Sequence, residues 1–476
     1  MIDQFFQTIE NILESCIVGL DDLFRSTPKG TTEYGASFGS EGTLLSSFNH
    51  GFNVSGRKKL TAQMSHRNFL GISSTGGGKT STIMLPTLFS TKGSFIVNDP
   101  SGELFQKSSG YLQQKGYRVM VLDYTKWQTS AGFNGLILAT SQTKRQKLAK
   151  LTLDTSKKGA KADPFWDNLA ESLLSTTYSL LHEIAIDEYI NMANARHLLN
   201  LMGSNPEAVD ELYKKYASDS IFSEYTAFLR YDQKVVDGVI ATAKSALTIF
   251  ADESVGKTTS FNSIDWHQFR KSPHVLYINN SIADAKFYAP LTSFLFSDFL
   301  SYGLSRFPEK NELDIFLLID EMASMHIDNL GMIASNVRKH RIGILGLIQT
   351  FSQLEHLYGK AEAQSIRTNS SQLYMPGQEL PECQMLETLL GKHEFIDKDG
   401  KKQIYPLMTS DAIRNMKDGI LVAPGYLPVK VRLTPYFKQS KFNSYSKIPP
   451  VTLDRLAPSG PVPLLPISLG KNEQAA

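Results

Sequence analysis

The feature that most constrains the fold of this chain is the glycine-rich segment SSTGGGKT at residues 73–80. It fits the phosphate-binding pattern G-x-x-x-x-G-K-[ST] except at the first position, where Ser73 replaces glycine at the mouth of the loop. The preceding RNFLGIS is strand-like, and the following TSTIMLPTLFST has a helical pattern. A strand that leads into such a turn lets backbone N–H groups converge on phosphates, and the next helix directs its N-terminus toward them. The segment therefore predicts a phosphate-binding loop.

The residue types of this loop predict how it would hold a nucleoside triphosphate. Glycine permits close approach and positive φ angles, so the run of three glycines supplies a flexible cradle. Lys79 can reach the β- and γ-phosphates, and the Thr80 hydroxyl is available to Mg²⁺. The cradle itself is predicted to consist of Ser74, Thr75, Gly76, Gly77 and Gly78. A glycine-rich turn without a ligand stays open as the alternative.

A second segment, ADESVGKT at residues 251–258, matches a looser version of the same pattern better. Its surroundings do not suit the chemistry, because a helix-like stretch precedes it and two acidic residues, Asp252 and Glu253, would repel a polyphosphate. The following TSFNSIDWHQF is typical of a turn. We therefore interpret this segment as an exposed connection that leaves a helical region.

The stretch DIFLLIDE at residues 314–321 supplies the acidic partner that a phosphate-binding loop requires. Apolar residues bury a strand, and Asp320 and Glu321 follow at its carboxyl end, where ligands bind in open α/β sheets. Asp320 is expected to contact Mg²⁺, and Glu321 to act as the base that orients the attacking water. Gln349 ends a third buried strand and is predicted to sense the γ-phosphate or to position water. A helix N-cap for the two acids, and local hydrogen bonding for Gln349, are the alternatives.

Strand-like and helical segments alternate along two parts of the chain. SFIVND and RVMVLD follow the loop, and HVLYIN, DIFLLIDE, IGILGLIQ, SQLYMPG and GILVAPG come after residue 270. Such alternation predicts a parallel sheet with helices on both faces. Between about residues 140 and 250 only helical periodicity is found. The predicted fold class is therefore α/β, with a mainly parallel central sheet and an all-α insertion.

The ends of the chain and its composition set further limits. Apolar residues from Phe5 to Leu23 recur with helical spacing on an acidic segment, which predicts a docking or oligomerisation helix rather than a membrane-surface helix. The proline-rich tail from residue 447 is expected to be extended or disordered. No apolar run approaches the roughly 18 residues of a transmembrane helix. Two distant cysteines, Cys16 and Cys383, predict reduced thiols in a cytosolic compartment.

Two basic segments are candidates for contact with phosphate, although the net charge of +2 identifies no partner. The first could neutralise a nucleic-acid backbone without reading its sequence, or form a flexible solvated loop. Its residues are Lys144, Arg145, Lys147, Lys150, Lys157, Lys158 and Lys161. The second is VRKHR at residues 337–341, in which Arg338 or Arg341 is a candidate arginine finger for a neighbouring subunit. Contact with DNA and an ordinary solvated helix end are the alternatives there.

Several segments together resemble, in the same order, those of the type IV secretion coupling ATPases, the TraG/TraD-type conjugative DNA transfer proteins. The segments are TEYGASFGSEG, GISSTGGGKTSTIMLPTL, GSFIVNDPSGELF, GFNGL, DIFLLIDEMASM, IGILGLIQTFSQLEHLYG and LETLLGKHEF, within roughly residues 34–440. Gly135 replaces the proline of the family's Phe-Asn-Pro-Leu, and Ser73 replaces the first glycine of the loop. The family belongs to the RecA-like P-loop NTPases, near the FtsK/HerA translocases.

The resemblance implies the same roles that the residue types suggest. Lys79 and Thr80 would bind the nucleotide, Asp320 and Glu321 would serve Mg²⁺ and water, and Gln349 would be a sensor. It also implies a RecA-like fold and assembly as a homo-oligomer, typically a hexamer around DNA. The predicted division of the chain is an N-terminal amphipathic extension (1–33), a nucleotide-binding domain in two parts (34–140 and 261–446), an all-α domain (141–260) and a proline-rich tail (447–476).

These features predict an ATP-hydrolysing, Mg²⁺-dependent motor that delivers DNA or a DNA–relaxase substrate to a type IV secretion channel. Because family members usually carry N-terminal transmembrane helices, we expect a soluble variant that partners recruit to the inner face of the cell membrane. Two alternatives remain open. One is an NTP-binding adaptor of low activity that recruits substrates, and the other is a DNA packaging or segregation translocase of the FtsK/HerA type.

Overall fold

A nine-stranded sheet lies at the centre of the part of the chain that the computed structural model describes, namely residues 35–74, 76–156, 163–280, 283–324, 326–327, 329–396 and 400–466. The strands are β1 (Phe69–Ile72), β2 (Ser94–Asn98), β3 (Arg118–Leu122), β4 (His274–Ile278), β5 (Ile315–Ile319), β6 (Ile342–Ile348), β7 (Ser371–Tyr374), β8 (Lys392–Ile396), β9 (Lys402–Pro406), β10 (Gly419–Val422) and β11 (Val429–Val431). The order in the sheet is β11-β10-β7-β1-β6-β5-β2-β4-β3, and β8 and β9 form a separate hairpin. Strands from β7 to β3 are parallel, whereas β10 is antiparallel to β7 and β11. The predicted α/β class with a mainly parallel sheet is confirmed.

Helices cover both faces of this sheet and fill the chain between β3 and β4. They are α1 (Ala62–Ser65), α2 (Leu85–Ser90), α3 (Glu103–Gln114), α4 (Gly135–Leu138), α5 (Gln142–Ser156), α6 (Pro164–Ile184), α7 (Met192–Ser204), α8 (Pro206–Tyr216), α9 (Asp219–Phe228), α10 (Gln233–Ala246), α11 (Glu253–Thr258), α12 (Trp266–Lys271), α13 (Ala285–Ser305), α14 (Leu330–Asn336), α15 (Phe351–Tyr358), α16 (Lys360–Thr368), α17 (Leu380–Leu390), α18 (Ser410–Arg414) and α19 (Ser440–Tyr445). The helix predicted near Phe5 to Leu23 lies outside the described residues.

The central strands are apolar on both sides because both faces of the sheet are covered. Every residue of β2, β4 and β5 is buried. Successive residues of β5 point to opposite faces, so that Leu317 joins one hydrophobic cluster and Leu318 the other. A parallel strand buried on both faces needs such a continuous apolar run. Asp320 and Glu321 therefore lie beyond the carboxyl end of β5, where the buried apolar run stops.

The chain from α4 to α11 is helical throughout the residues that the structure describes there. Long helix α6 packs against α5 and α10. Its inward residues include Leu174 and Tyr178, which belong to the same hydrophobic cluster as one face of the central sheet. The helical region therefore shares a core with the sheet, and the proposed division of the chain into domains stays a prediction.

The second G-K-T segment, residues 251–258, is exposed at its start but forms a short helix that is buried from Val255 to Thr258, where the sequence predicted an exposed connection throughout. Helix α11 begins after Asp252, whose side chain caps the Val255 amide (3.0 Å). Lys257 is buried, with its ammonium 3.6 Å from the centre of the Trp127 ring and 2.7 Å from a Glu253 carboxylate oxygen. The sequence prediction was wrong on exposure, because the partner ring of Lys257 comes from a distant part of the chain. The lysine is nevertheless not in a phosphate-binding turn.

No helix in the described part of the molecule has both the length and the apolar character that crossing a bilayer requires.

Candidate nucleotide-binding site

The carboxyl ends of four neighbouring strands meet at one edge of the sheet and carry the predicted site. Strands β1, β6, β5 and β2 are adjacent and parallel. The glycine-rich loop leaves β1, Gln349 follows β6, Asp320 and Glu321 follow β5, and Asp99 follows β2. The fold therefore brings the loop to an acidic pair that lies 240 residues further along the chain.

The loop itself is a tight turn that depends on glycine. Gly76 and Gly78 have φ angles of +78° and +77°, in the left-handed region that favours glycine. The Gly77 amide donates a hydrogen bond to the Ser74 carbonyl oxygen (3.2 Å). Thr75, the remaining member of the predicted cradle, lies outside the described residues. After Lys79 the chain enters a π-helical turn at Thr80–Met84, which continues into α2.

Ser73, the residue that departs from the motif, lies beneath the loop and not at its mouth. It is 0% exposed, and its hydroxyl donates to the Pro376 carbonyl oxygen (3.0 Å). A Cβ atom at Gly77 would lie 1.8 Å from that hydroxyl. Ser73 thus fills the space under the loop and makes glycine necessary at position 77. The predicted location of Ser73 at the mouth of the loop was wrong, because Pro376, to which its hydroxyl is bonded, is distant in sequence.

Lys79 is folded back onto the loop that precedes it. Its ammonium donates to the carbonyl oxygens of Ser73 and of Ser74, the latter at 3.0 Å. Burial lowers the pKa of Lys79, while the nearby carboxylates of Glu321 and Asp320 act in the opposite direction. The ammonium therefore lies between the loop and the acidic pair, where a polyphosphate with its cation would fit.

Asp320 joins the acidic strand to the loop. The Thr80 hydroxyl donates to Asp320 Oδ1 at 2.9 Å. Asp320 keeps partial access to solvent at the edge of the loop, yet protein surrounds most of its carboxylate, and burial raises its pKa to about 7. The carboxylates of Asp99, Glu321 and Glu103 raise it further, against the hydrogen bond from Thr80. A cation in this position would relieve the repulsion.

We expect Asp320→Asn to change how the stability of the Mg²⁺-free protein depends on pH. A carboxyl group with a folded-state pKa above its unfolded value binds its proton more tightly in the folded state, so its contribution to stability falls as pH rises toward about 7. The asparagine variant has no carboxyl group at this position, so its stability does not fall for this reason as the pH rises. Its melting temperature relative to the wild type should therefore be higher at about pH 8 than at about pH 5, measured with a chelator present. A difference in melting temperature that is the same at both pH values would contradict the buried, ionisable state of Asp320.

Asp99 is a member of the site that the sequence interpretation did not assign. The register pairs Asn98 with Ile319, and the Asp320 amide donates to the Asn98 carbonyl oxygen (3.4 Å), so Asp99 and Asp320 lie side by side. Asp99 is fully buried, and its Oδ2 accepts from the Phe105 amide in α3 (2.8 Å). Burial raises its pKa to about 6. The signal was present in SFIVND, which ends in an acid after an apolar run as DIFLLIDE does.

Glu321 and Gln349 lie at the ends of their strands as the sequence predicts, each partly exposed. Burial raises the pKa of Glu321, and Lys79 acts in the opposite direction. The backbone amide of Gln349 donates to the side-chain oxygen of Gln353 (3.1 Å). Their catalytic and sensing roles stay predictions.

The two candidate arginine fingers differ in their surroundings. Arg341 lies at the amino end of β6, where it pairs with Asp314 (2.6 Å) and donates to the carbonyl oxygens of Glu309 and Glu312. These contacts hold the strand ends together, which favours a structural role for Arg341. Arg338 is exposed on the turn Val337–His340. Of the two, Arg338 is the one whose side chain is accessible to a neighbouring molecule.

The residues of the site fit a magnesium ion that arrives with a nucleotide. Within the described residues, no group of three or more His, Cys, Asp or Glu side chains could hold a metal alone. Mg²⁺ usually takes one or two carboxylates together with water and substrate phosphates. The Thr80 hydroxyl and the Asp320 carboxylate, whose oxygens lie 2.9 Å apart, supply oxygen groups of this kind.

The loop joins strand β1 to a helix, and the acidic residue bonded to its threonine follows β5, which is parallel to β1 and separated from it by β6. This arrangement defines a P-loop protein of the RecA-like class. A family model described as Type IV secretory system Conjugative DNA transfer matches residues 45–455. The chain belongs to this family, as its sequence motifs indicate.

Individual relatives have low sequence identity to this chain, and their names agree with the family. Protein VirD4 of Agrobacterium fabrum is 23% identical over a 402-residue alignment that covers 77% of this chain and 58% of VirD4. Conjugal transfer protein TraG of Rhizobium radiobacter is 23% identical over a 305-residue alignment that covers 61% of this chain and 47% of TraG. The chain thus spans about half the length of these relatives.

The solved structures of plasmid coupling protein TrwB have the same fold. The complex with the non-hydrolysable GTP analogue GDPNP superimposes with a TM-score of 0.66 at 18% identity, covering 86% of this chain and 96% of TrwB. The complex with ADP and Mg²⁺ gives a TM-score of 0.65 at 17% identity, covering 85% and 96%.

Proposed function

We propose that this chain is a Mg²⁺-dependent ATPase that drives the transfer of DNA, alone or joined to a relaxase, into a type IV secretion channel. The observation that carries the proposal is the hydrogen bond between Thr80 and Asp320, found in a chain of the conjugative transfer family. The TrwB complexes with a GTP analogue and with ADP and Mg²⁺ support a nucleotide and Mg²⁺ as its ligands.

The arrangement suits phosphoryl transfer to water, which depends on positioning and on stabilising charge. Lys79 would leave the carbonyl oxygens of Ser73 and Ser74 and bind the β- and γ-phosphates. Thr80 and, through water, Asp320 would hold Mg²⁺, which when bound neutralises charge on the phosphate oxygens. Glu321 would orient the attacking water and accept its proton as the new P–O bond forms and the bond to ADP breaks. Gln349 would report whether the γ-phosphate is present.

Helix α5 provides a surface that suits DNA backbone. Lys144, Lys147 and Lys150 are exposed on this helix. Arg145 faces the protein instead, where its Nε donates to the Ser179 hydroxyl (2.8 Å) and Nη1 to the Thr140 carbonyl oxygen (3.1 Å). The remaining predicted lysines, Lys157, Lys158 and Lys161, lie outside the described residues. We infer that the three exposed lysines contact phosphates, whereas Arg145 anchors the helix.

Reversing the charge of these three lysines to glutamate is expected to weaken binding to single-stranded DNA by about tenfold or more and to flatten its salt dependence, because fewer counterions are released. DNA-stimulated ATP turnover should fall in parallel, and turnover without DNA should not. Binding and phosphate release would both be measured over a series of salt concentrations.

The control is the same charge change at three exposed lysines elsewhere, Lys214, Lys310 and Lys417. It should leave DNA affinity close to that of the wild type. Equal losses in the two triple variants would mean that net charge, and not the α5 surface, governs DNA binding.

We also propose that the chain works as a homo-oligomer, with six subunits as the arrangement that the family resemblance implies. Arg338 of one subunit would then approach the nucleotide of the next. Other secretion components would bring this assembly to the inner face of the cell membrane.

A further inference from the structure

The proline-rich tail follows a fixed path over the surface and crosses from one part of the molecule to another. We call residues 449–466 the C-terminal strap. It follows α19, carries neither helix nor strand, and includes six prolines: Pro449, Pro450, Pro458, Pro461, Pro463 and Pro466. Proline limits the conformations of an unfolded chain, so an extended segment of this composition loses little entropy when it is bound. Most residues of the strap are exposed, but contacts near its start, middle and end hold it to the rest of the molecule.

The first part of the strap lies on α3, the helix that begins just after Asp99. Gly110 is in the interior of this helix, where glycine is destabilising relative to alanine. A Cβ atom at Gly110 would lie 2.0 Å from the Pro449 carbonyl oxygen, so the close approach of the strap explains the glycine. The Val451 amide also donates to the Ser109 hydroxyl (3.2 Å).

The middle of the strap meets the loop after β3, which also contacts helix α11. The Leu456 amide donates to the Gln128 carbonyl oxygen (3.2 Å). The guanidinium of Arg455 lies 5.3 Å from the centre of the Trp127 ring, the same ring that the Lys257 ammonium approaches at 3.6 Å. One indole therefore receives cations from the strap and from the helical region.

The end of the strap is pinned to α7 in the helical region by a buried amide. Asn194 is 0% exposed, and its side chain donates to the Pro463 carbonyl oxygen (2.9 Å) and accepts from the Leu465 amide (2.7 Å). His197 contacts the Leu465 carbonyl oxygen through Nε2 (3.2 Å). Leu465 is 1% exposed and belongs to the hydrophobic cluster of the helical region.

We propose that the C-terminal strap transmits the state of the nucleotide site to the helical region. One end lies on α3, whose first turn is held by Asp99 beside Asp320, and the other end is locked into α7. A shift of α3 when Mg²⁺–nucleotide binds would thus be passed to α7 through the strap. This route is separate from the two chain connections of the helical region, which leave β3 and enter β4. This inference rests on the proposed nucleotide site.

Hydrogen exchange of the full chain, with and without Mg²⁺–ATP, tests the proposal. In the wild type we expect the nucleotide to slow exchange in α3, the strap and α7. In Gly110→Ala the added methyl group displaces the strap from α3 while favouring the helix, so exchange of the strap should rise by about tenfold or more. The nucleotide should still protect α3 in that variant but should no longer alter α7.

The matched control is Gly203→Ala in α7, where a Cβ atom would meet nothing within 4 Å. It should respond to nucleotide as the wild type does. A second pair tests the other end: Leu465→Asp should release the strap, whereas Leu464→Asp, at a side chain that is 50% exposed, should not.

Protection of α3 without any response of α7 in the wild type would overturn transmission to the helical region, as would an α7 response that survives release of the strap in Gly110→Ala. Absence of protection in α3 and in the loop at residues 73–80 would instead overturn the nucleotide site itself. Loss of the α7 response in both strap-releasing variants, with the controls intact, would establish the strap as the link.

Discussion

Lys79→Ala is expected to reduce ATP turnover by at least about a hundredfold, because it removes the only charged donor of the loop that can reach the β- and γ-phosphates among the described residues. The loop should keep its shape, since Gly76 and Gly78 set its backbone conformation. Phosphate release at saturating ATP is the measurement, with a melting curve to verify folding.

Lys257→Ala is the matched control, because it changes the lysine of the other G-K-T sequence. It removes a buried ammonium from Trp127 and Glu253, so it should lower the melting temperature and leave turnover within about twofold of the wild type. If Lys79→Ala hydrolysed ATP as the wild type does, the assignment of the loop would be wrong.

Glu321→Gln should also reduce turnover by about a hundredfold or more, but it should retain nucleotide binding. Glutamine keeps the size and hydrogen-bonding capacity of the side chain and loses the ability to accept a proton. Glu321 is partly exposed beside Lys79, a position from which it can reach an attacking water. Single-turnover hydrolysis and the affinity for a fluorescent ATP analogue would be measured together.

Asp99→Asn is the comparison that makes this test specific, because Asp99 is the carboxylate that lies side by side with Asp320 at the end of the adjacent strand. Its Oδ2 accepts a hydrogen bond from α3, and its side chain is fully buried away from solvent water, so we expect a smaller loss of turnover than in Glu321→Gln. A larger loss of turnover in Asp99→Asn than in Glu321→Gln would move the role of base to Asp99.

The sequence predicts those parts of the site that depend only on residues close together in the chain. The loop between β1 and the following helix, the acids after β5 and the glutamine after β6 each depend on a short apolar run and the residue that ends it. Because the strands are parallel, their carboxyl ends lie at the same edge of the sheet, and the residues that follow them come together there. The mainly parallel sheet follows from the same alternation of strands and helices.

The features that the sequence interpretation missed depend on contacts between distant segments. Ser73 is buried by Pro376, and Lys257 by Trp127. Arg145 and Arg341 occur in basic segments, yet both are held by carbonyl oxygens that no periodicity reveals. The proline-rich tail has a composition typical of a free segment, and only the fold shows that Asn194 binds it.

Phosphate release by the full chain, with and without single-stranded DNA and in the presence of Mg²⁺, tests the central claim most directly. The proposed function predicts measurable ATP turnover that rises several-fold when DNA is added. The rise is expected because DNA binds the exposed lysines of α5. Turnover that is absent under both conditions, or present and unchanged by DNA, would contradict a motor that couples ATP hydrolysis to DNA transfer.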